Sequence, residues 1–322
     1  MMEENTRLLL CDQLTKIYEK QQKKALDSVT FSVPLTGIFV LIGRNGSGKT
    51  TLVRILATEL EPTSGNASIN GIDVVREPDK LREKIAVVPQ EARTVPWMTP
   101  METASSYLLW RGFHQGEARQ RAFSALEELG LGGYVNTLNR KLSGGLRRKV
   151  LVATILASEA EIFFLDEPTT GLDPISRKEL WDLLKKISKE RFIFLTTHYL
   201  DEAEELADQI GVLNRGKLIQ FGTLDQLRRS VNYNYSIKIS ANPTIHIPKV
   251  ENGEVLEGKD GYRILTTEDE AFRISRELAR LGCKFSINPV SLDDLFSYVV
   301  NEEEGKSVGN QRSVDEQTDE EE

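Results

Sequence analysis

A nine-residue segment, Gly-Arg-Asn-Gly-Ser-Gly-Lys-Thr-Thr, constrains this 322-residue chain more than any other feature. It follows the apolar run Ile38 to Ile42 and matches the phosphate-loop pattern G-x-x-x-x-G-K-[ST]. The glycines let successive backbone N–H groups turn towards phosphate oxygens, and a helix beginning here adds the positive end of its dipole. We expect Lys49 to reach the outer phosphates and Thr50 to hold Mg²⁺. The candidate phosphate-binding residues are Gly43, Arg44, Asn45, Gly46, Ser47, Gly48, Lys49, Thr50 and Thr51.

In five short runs apolar residues occupy successive positions rather than every second one. They are Ile38 to Ile42, Ile85 to Val88, Ile162 to Leu165, Phe192 to Thr196 and Ile210 to Leu213. Strands of this kind need both faces covered, which predicts an α/β fold with a parallel sheet between helices.

The rest of the first 230 residues divides into two further patterns. LLLCDQLTKIY, KALDSVTFSV and NASINGIDV predict an antiparallel layer with a tight turn at Asn70-Gly71. Residues 92–157 carry only helical periodicity and predict a helical insertion. We therefore expect one domain over residues 1–230.

A smaller α+β domain is predicted over residues 231–300. Its strands are YSIKIS, YRILTT and KFSIN, its helices are Glu268 to Leu281 and SLDDLFSYVV, and a loop containing Pro243, Gly253 and Gly258 separates the first two strands. Residues 301–322 hold nine acidic and two basic side chains, which predicts an acidic disordered tail.

The charge distribution argues against a nucleic-acid partner. The tail carries −7 of the formal net charge of −8, so the other residues are close to neutral and offer no basic stripe. Cys11 and Cys283 lack metal-ligand spacing and are predicted to be two reduced thiols. We find neither an apolar run long enough to span a membrane nor a signal-peptide pattern.

Two carboxylates, Asp166 and Glu167, directly follow the apolar strand that begins at Ile162. Burying them without a role would cost free energy. Beside a phosphate loop on the same sheet, Asp166 is predicted to hold the Mg²⁺ shell and Glu167 to orient or deprotonate an attacking water. The alternative is an acidic helix start with no catalytic role.

The segment Leu-Ser-Gly-Gly at 142–145 precedes a helix, and such a helix start can bind an anion. Taken alone, Ser143, Gly144 and Gly145 are also typical of a purely structural cap.

Together these motifs resemble the ATP-binding cassette ATPases over about residues 6–230. The phosphate loop, Gln90, LSGGL, FFLDEP, Gly171-Leu172-Asp173 and His198 come in that family's order. The resemblance implies a phosphate-loop NTPase fold: a RecA-like core with an antiparallel β layer and a helical subdomain, binding ATP and Mg²⁺.

The resemblance also implies a role for each matching residue. Gln90 would contact Mg²⁺ or the water, His198 the γ-phosphate, and Tyr18 would stack on adenine. Ser143, Gly144 and Gly145 would bind ATP held by a second copy of the chain or by a homologous one, and Asp173 would lie at the dimer seam. Leu146 replaces the usual glutamine, and Arg44 stands where proline is frequent.

LSGGLRRK and SLDDLFSYVV resemble the branch of drug, antibiotic and sodium exporters whose ATPase is a separate chain. This implies a polytopic permease docked on the helical insertion near Val95 to Met101, with the ATPase held at the cytoplasmic face of the membrane. The alternative is a soluble ABC ATPase acting on ribosomes or nucleic-acid complexes, although the 94 positions from Lys49 to Ser143 leave no room for a long coiled coil. A regulatory ligand-binding role for residues 231–300 also stays open.

Overall fold

The computed structural model describes residues 7–18, 23–240, 248–258 and 261–303. The chain divides into two compact units, residues 1–224 and 225–322. The strands of the first unit are β1 (Leu8–Tyr18), β2 (Lys23–Pro34), β3 (Ile38–Ile42), β4 (Ser64–Ile69), β5 (Ile72–Asp73), β6 (Ile85–Val88), β7 (Ile162–Asp166), β8 (Phe192–Thr197), β9 (Gln209–Asn214) and β10 (Lys217–Gly222). Its helices are α1 (Lys49–Leu56), α2 (Pro78–Lys84), α3 (Pro100–Trp110), α4 (Gln115–Glu128), α5 (Gly144–Leu156), α6 (Pro174–Ile187) and α7 (Leu200–Leu206), and α8 (Leu224–Ser230) begins at the boundary.

The central sheet of the first unit has the order β10-β9-β3-β8-β7-β6. Strands β3 and β6 to β9 run parallel, and every residue of β3, β7 and β8 is buried. The predicted α/β fold and all five predicted strands are confirmed. The sequence analysis missed β10, an antiparallel edge strand in which only Gly222 is buried, because such a strand lacks a wholly apolar run.

The predicted antiparallel layer is the sheet β2-β1-β4-β5. Asn70 and Gly71 have φ of 51° and 76°, the left-handed values that a tight hairpin turn needs. Residues 92–157 contain α3, α4 and α5, which pack together through small apolar side chains such as Ala104, Ala118 and Ala122. Cys11 is buried and Cys283 part-buried, and both are free thiols, as predicted.

The second unit contains β11 (Tyr235–Ser240), β12 (Gly253–Gly258), β13 (Gly261–Thr266), α9 (Glu268–Arg280), β14 (Phe285–Pro289) and α10 (Leu292–Glu303). Its antiparallel sheet has the order β12-β13-β11-β14. Helix α9 buries Ala271, Ile274 and Leu278 against Ile237 and Ile264 of the sheet.

Two expectations for this unit were wrong in detail. Residues 253–258 form β12 rather than a loop, because Val255 lies opposite Ile264 of β13 and packs against the apolar cluster under α9. Helix α10 continues through Glu303, three residues into the predicted tail, whereas Pro243 and residues 304–322 lie outside the described residues. None of the helices in the described part of the chain has the length and apolar character needed to cross a membrane.

Candidate functional site

The phosphate loop connects β3 to α1, and its backbone requires glycine at three positions. Gly46 and Gly48 have φ of 78° and 113°. A Cβ on Gly48 would lie 2.3 Å from the carbonyl oxygen of Ala25, and one on Gly43 would lie 2.4 Å from that of Leu213. The loop therefore closes tightly on neighbouring backbone and holds the start of α1 in a fixed place.

Lys49 is the first residue of α1 and curls back over this loop. Its Nζ donates to the carbonyl oxygens of Gly43 at 2.8 Å and Arg44 at 3.4 Å. The buried hydroxyl of Ser47 has no hydrogen-bond partner among the residues that the structure describes. A buried hydroxyl in this state fits a loop that receives a polar ligand.

Glu167 is the centre of the site. Its Oε1 lies 3.4 Å from Lys49 Nζ. Its Oε2 lies 3.0 Å from His198 Nδ1 and accepts hydrogen bonds from Gln90 Nε2 at 3.2 Å and Thr170 Oγ1 at 3.1 Å. The residue is only 5% exposed, so these partners take the place of solvent.

The backbone of Glu167 has the left-handed φ of 48°. This conformation costs a non-glycine residue about 1–3 kcal/mol and persists only where the surroundings hold it. Here the N–H of Glu167 donates to both the carbonyl oxygen and the Oγ1 of Thr196, at 3.0 and 3.1 Å. Its carbonyl oxygen accepts from Arg148 at 3.1 Å.

Asp166 ends β7 directly opposite Thr196 of β8, whose hydroxyl donates to the Asp166 carboxylate. Both residues are buried. This hydrogen bond fixes the orientation of the carboxylate at the carboxyl end of the sheet.

A cleft of about 300 Å³ opens over the loop. It is lined by Tyr18, Lys23, Ala25, Asn45, Gly46, Gly48, Lys49, Thr50, Thr51, Gln90 and Glu167. Tyr18 lies at one side, with its hydroxyl 3.5 Å from Thr51 Oγ1. An aromatic ring at this edge can stack on a base, which contributes about 1–3 kcal/mol.

The predicted magnesium ligands are a hydroxyl (Thr50), an amide (Gln90) and a carboxylate (Asp166). Thr50 and Gln90 line the cleft. Within the described residues no cluster of three or more His, Cys, Asp or Glu side chains forms a metal cage. An all-oxygen set with few protein ligands fits Mg²⁺, which keeps several waters and binds through phosphates.

The other predicted binding residues lie outside this cleft. Ser143 caps α5 by accepting from Leu146 N at 3.2 Å, and Ser143 and Gly144 are exposed. A Cβ on Gly145 would lie 2.5 Å from Ser176 Oγ, so Gly145 permits close packing of α5 on α6.

Asp173 caps α6. It accepts from the backbone N–H groups of Ile175 and Ser176 at 3.1 and 3.0 Å, and from the Ser176 hydroxyl at 2.6 Å. The Ser176 hydroxyl is the main reason that the pKa of Asp173 falls below its ordinary value. In one chain, therefore, Ser143 to Gly145 and Asp173 form a second group, separate from the cleft lining.

Sequence reasoning missed Thr196 and Arg148. Thr196 could have been found, because it is a polar residue at the end of the apolar run that begins at Phe192. Arg148 stands between Arg147 and Lys149, and the sequence does not indicate which of the three cations is buried. Burial first, and nearby Arg93 second, lower the pKa of Arg148 to about 10, so it stays charged at neutral pH.

Comparison with known proteins gives a consistent picture. The family model for ABC transporters matches residues 26–170. The daunorubicin/doxorubicin resistance ATP-binding protein DrrA of Streptomyces peucetius is 37% identical over 230 residues, covering 71% of this chain and 69% of DrrA. Human ATP-binding cassette sub-family A member 2 is 35% identical over 246 residues, which are 76% of this chain but 10% of that protein.

Solved structures of ABC transporter cassettes are also similar to this chain. An ATP-binding subunit of an ABC transporter superposes with a TM-score of 0.60 at 30% identity, covering 69% of this chain and 92% of that one. The dimeric bacterial ABC transporter cassette MJ0796 has a TM-score of 0.61 at 26% identity, covering 67% and 98%. A post-hydrolysis state of the same cassette, bound to ADP and phosphate, aligns equally well, with a TM-score of 0.61.

Proposed function

This chain belongs to the ABC transporter ATPase family, and from that premise we propose that it is the ATP-hydrolysing subunit of an exporter with a separate membrane permease. The observation that carries the ATP-hydrolysing part of the proposal is the contact set of Glu167. One buried carboxylate touches the phosphate-loop lysine, Gln90 and His198 together.

In the proposed mechanism the loop amides, the start of α1 and Lys49 bind the phosphates, while Tyr18 stacks on adenine. Phosphate oxygens attract Lys49 away from Glu167, which frees the carboxylate to accept a proton from the attacking water. Gln90 and His198 orient that water and the γ-phosphate. Mg²⁺, held by Thr50, Gln90 and Asp166, would neutralise charge on the phosphates.

The second half of each site is proposed to come from a second copy of this chain or a homologous one. Ser143, Gly144, Gly145 and Asp173 do not line the cleft that contains Lys49, and the similar cassette MJ0796 is dimeric. A head-to-tail pair would place the α5 N-terminus, with its exposed Ser143 and Gly144, on the partner's γ-phosphate.

Light scattering tests this pairing. Glu167→Gln slows hydrolysis, so ATP with Mg²⁺ should convert the variant from monomer to dimer. Adding Ser143→Arg, which puts bulk on an exposed cap, should keep nucleotide binding and abolish the dimer. Glu167→Gln protein that stays monomeric in saturating ATP and Mg²⁺ would contradict the pairing for the isolated chain.

The permease contact is proposed for the loop after Gln90, which holds Trp97 with 75% of its surface exposed. Large exposed aromatic side chains are enriched at protein interfaces. Peripheral attachment at the cytoplasmic face would follow from this contact. Export is the proposed direction because DrrA, a similar protein, is a drug-resistance ATP-binding protein.

Affinity purification of the tagged Glu167→Gln chain from its host in mild detergent, followed by mass spectrometry, tests the contact. We expect a stoichiometric partner with several apolar spans. Trp97→Glu should remove that partner, and Trp110→Glu is the matched control, since Trp110 is 91% exposed at the far end of α3. Recovery of only ribosomal or DNA-repair proteins would favour the soluble alternative and leave the ATPase assignment intact.

A further inference from the structure

Arg148 connects helix α5 to the backbone that carries the central glutamate. Its side chain is buried, with 9% of the residue exposed. Nε donates to the carbonyl oxygen of Pro168 at 2.6 Å, and one terminal nitrogen donates to those of Glu167 at 3.1 Å and Asp166 at 3.4 Å. Three successive carbonyl groups thus converge on one planar guanidinium, a geometry that a lysine ammonium does not reproduce.

One of these contacts helps to hold the left-handed backbone of Glu167, because Arg148 donates to the carbonyl oxygen of that residue. Thr196 of β8 holds the N–H of Glu167, and Arg148 holds its carbonyl oxygen. Loss of the guanidinium would remove its hydrogen bonds to these buried carbonyl groups and leave the Glu167 carbonyl oxygen with the N–H of Thr170, at 3.3 Å, which weakens the support of this conformation. The Glu167 carboxylate would then be less well placed for the attacking water.

The N-terminus of the same helix carries Ser143, Gly144 and Gly145 of the second group of predicted binding residues. Ser143 caps α5, and Arg148 lies one turn beyond Gly144. Gly145 packs on Ser176, which is hydrogen-bonded to the Asp173 cap of α6. Only about one helical turn therefore separates the α5 N-terminus from the side chain that contacts the backbone of Glu167.

We infer that Arg148 is a positioning residue that holds Glu167 in its hydrolytic geometry and couples it, within one chain, to the helix end that contacts the second copy's ATP. The inference rests on the proposed dimeric ATPase. It assigns Arg148 two effects: support of the catalytic rate and communication between the two ATP sites.

The neighbouring cations provide matched controls on the same helix. Arg147 is exposed, and Lys149 pairs with the exposed Glu179 at 2.8 Å. Arg147→Lys makes the same chemical change as Arg148→Lys at a position without carbonyl contacts to the 166–168 backbone.

Steady-state ATPase assays on the full chain test the inference. Arg148→Lys should lower kcat about tenfold to a hundredfold, as expected for a misplaced catalytic group, and change KM by less than about twofold. The Hill coefficient for ATP, which cannot exceed the two sites of a dimer, should fall towards 1. Arg147→Lys should behave as wild type.

Arg148→Met removes the charge as well and should lower kcat at least as far. Thermal melting and nucleotide affinity show whether each variant is folded, and Arg148→Lys decides the question if Arg148→Met does not fold. A folded Arg148→Lys with wild-type kcat and Hill coefficient overturns the inference, as does a parallel loss of kcat and melting temperature. Wild-type protein without cooperative hydrolysis would instead count against the proposed dimeric ATPase itself.

Discussion

Two buried carboxylates, Glu167 of the first unit and Asp294 of the second, have opposite surroundings. In the first unit Glu167 contacts Lys49, Gln90 and His198, side chains that can turn to a ligand. In the second unit Asp294 forms an ion pair with Arg263 at 2.9 Å and accepts hydrogen bonds from the backbone N–H and the hydroxyl of Ser291. Burial of a charged group therefore marks a candidate reactive site only where its partners are exchangeable.

The surroundings of Asp294 explain the SLDDLF motif structurally. The Ser291 hydroxyl accepts from Asp294 N at 3.3 Å while the Asp294 carboxylate accepts from Ser291 N at 2.9 Å, which is a reciprocal helix cap. Arg263 of β13 then joins α10 to the sheet. The motif needs no ligand to account for its residues.

The largest expected effect is a loss of ATPase activity that follows a substitution in the first unit but not one in the second. Glu167→Gln should lower kcat by about 10²–10⁴-fold, the usual contribution of a positioned base, while nucleotide binding persists. Phosphate release measures it. Glu270→Gln, which changes a buried glutamate of the second unit, is the matched control and should leave kcat unchanged. A fall of less than about tenfold in Glu167→Gln would assign the base elsewhere.

The next effect concerns stability rather than activity. Asp294→Ala leaves Arg263 without its buried partner, and loss of one member of a buried pair typically costs about 3–5 kcal/mol. The Arg263 side chain is 24% exposed, so we scale that range down and expect the second unit to lose about 2–3 kcal/mol of its free energy of unfolding. Hydrogen exchange in α10 and β13 of the full chain measures it. A similar loss in β7 and β8 would show that the two units do not unfold separately.

The smallest effect is a pH dependence of the second unit. The hydrogen bond from Arg273 lowers the pKa of Glu270 from 4.5 to about 2. The ionised form is thus favoured by folding, so this pair stabilises the unit above pH 4.5 and the stabilisation is lost as the pH falls towards 2.

Because the Arg273 side chain is 42% exposed, the effect should stay below about 1 kcal/mol. Hydrogen exchange of α9 at pH 5 and pH 3 should show a smaller difference in Glu270→Gln than in wild type. An equal difference in both proteins would assign the acid sensitivity to other groups.

The sheet order explains why so much of the candidate site could be predicted. The phosphate loop follows β3, Gln90 follows β6, Glu167 follows β7 and His198 follows β8, and these strands are neighbours in the order β3-β8-β7-β6. Wholly apolar runs identify such strands, and the polar residue after each run marks the carboxyl edge.

The features that could not be predicted depend on packing between distant segments. Strands β10 and β12 lack a wholly apolar run, and each pairs antiparallel with a neighbouring strand. Arg148 lies on the side of α5 that faces the backbone of residues 166–168, and this position distinguishes it from Arg147 and Lys149. The order of three adjacent cationic residues does not indicate which of them lies on that side of the helix.

The contact between Lys49 and Glu167 has a consequence for which anions the cleft accepts. The two side chains, each about 5% exposed, are 3.4 Å apart and neutralise each other. The cleft thus contains its own counter-ion, and a lone phosphate or sulfate must displace a tethered carboxylate at high effective concentration. A triphosphate carries several charges and makes the loop contacts at the same time. Competition from the Glu167 carboxylate therefore favours binding of the nucleotide over binding of simple anions.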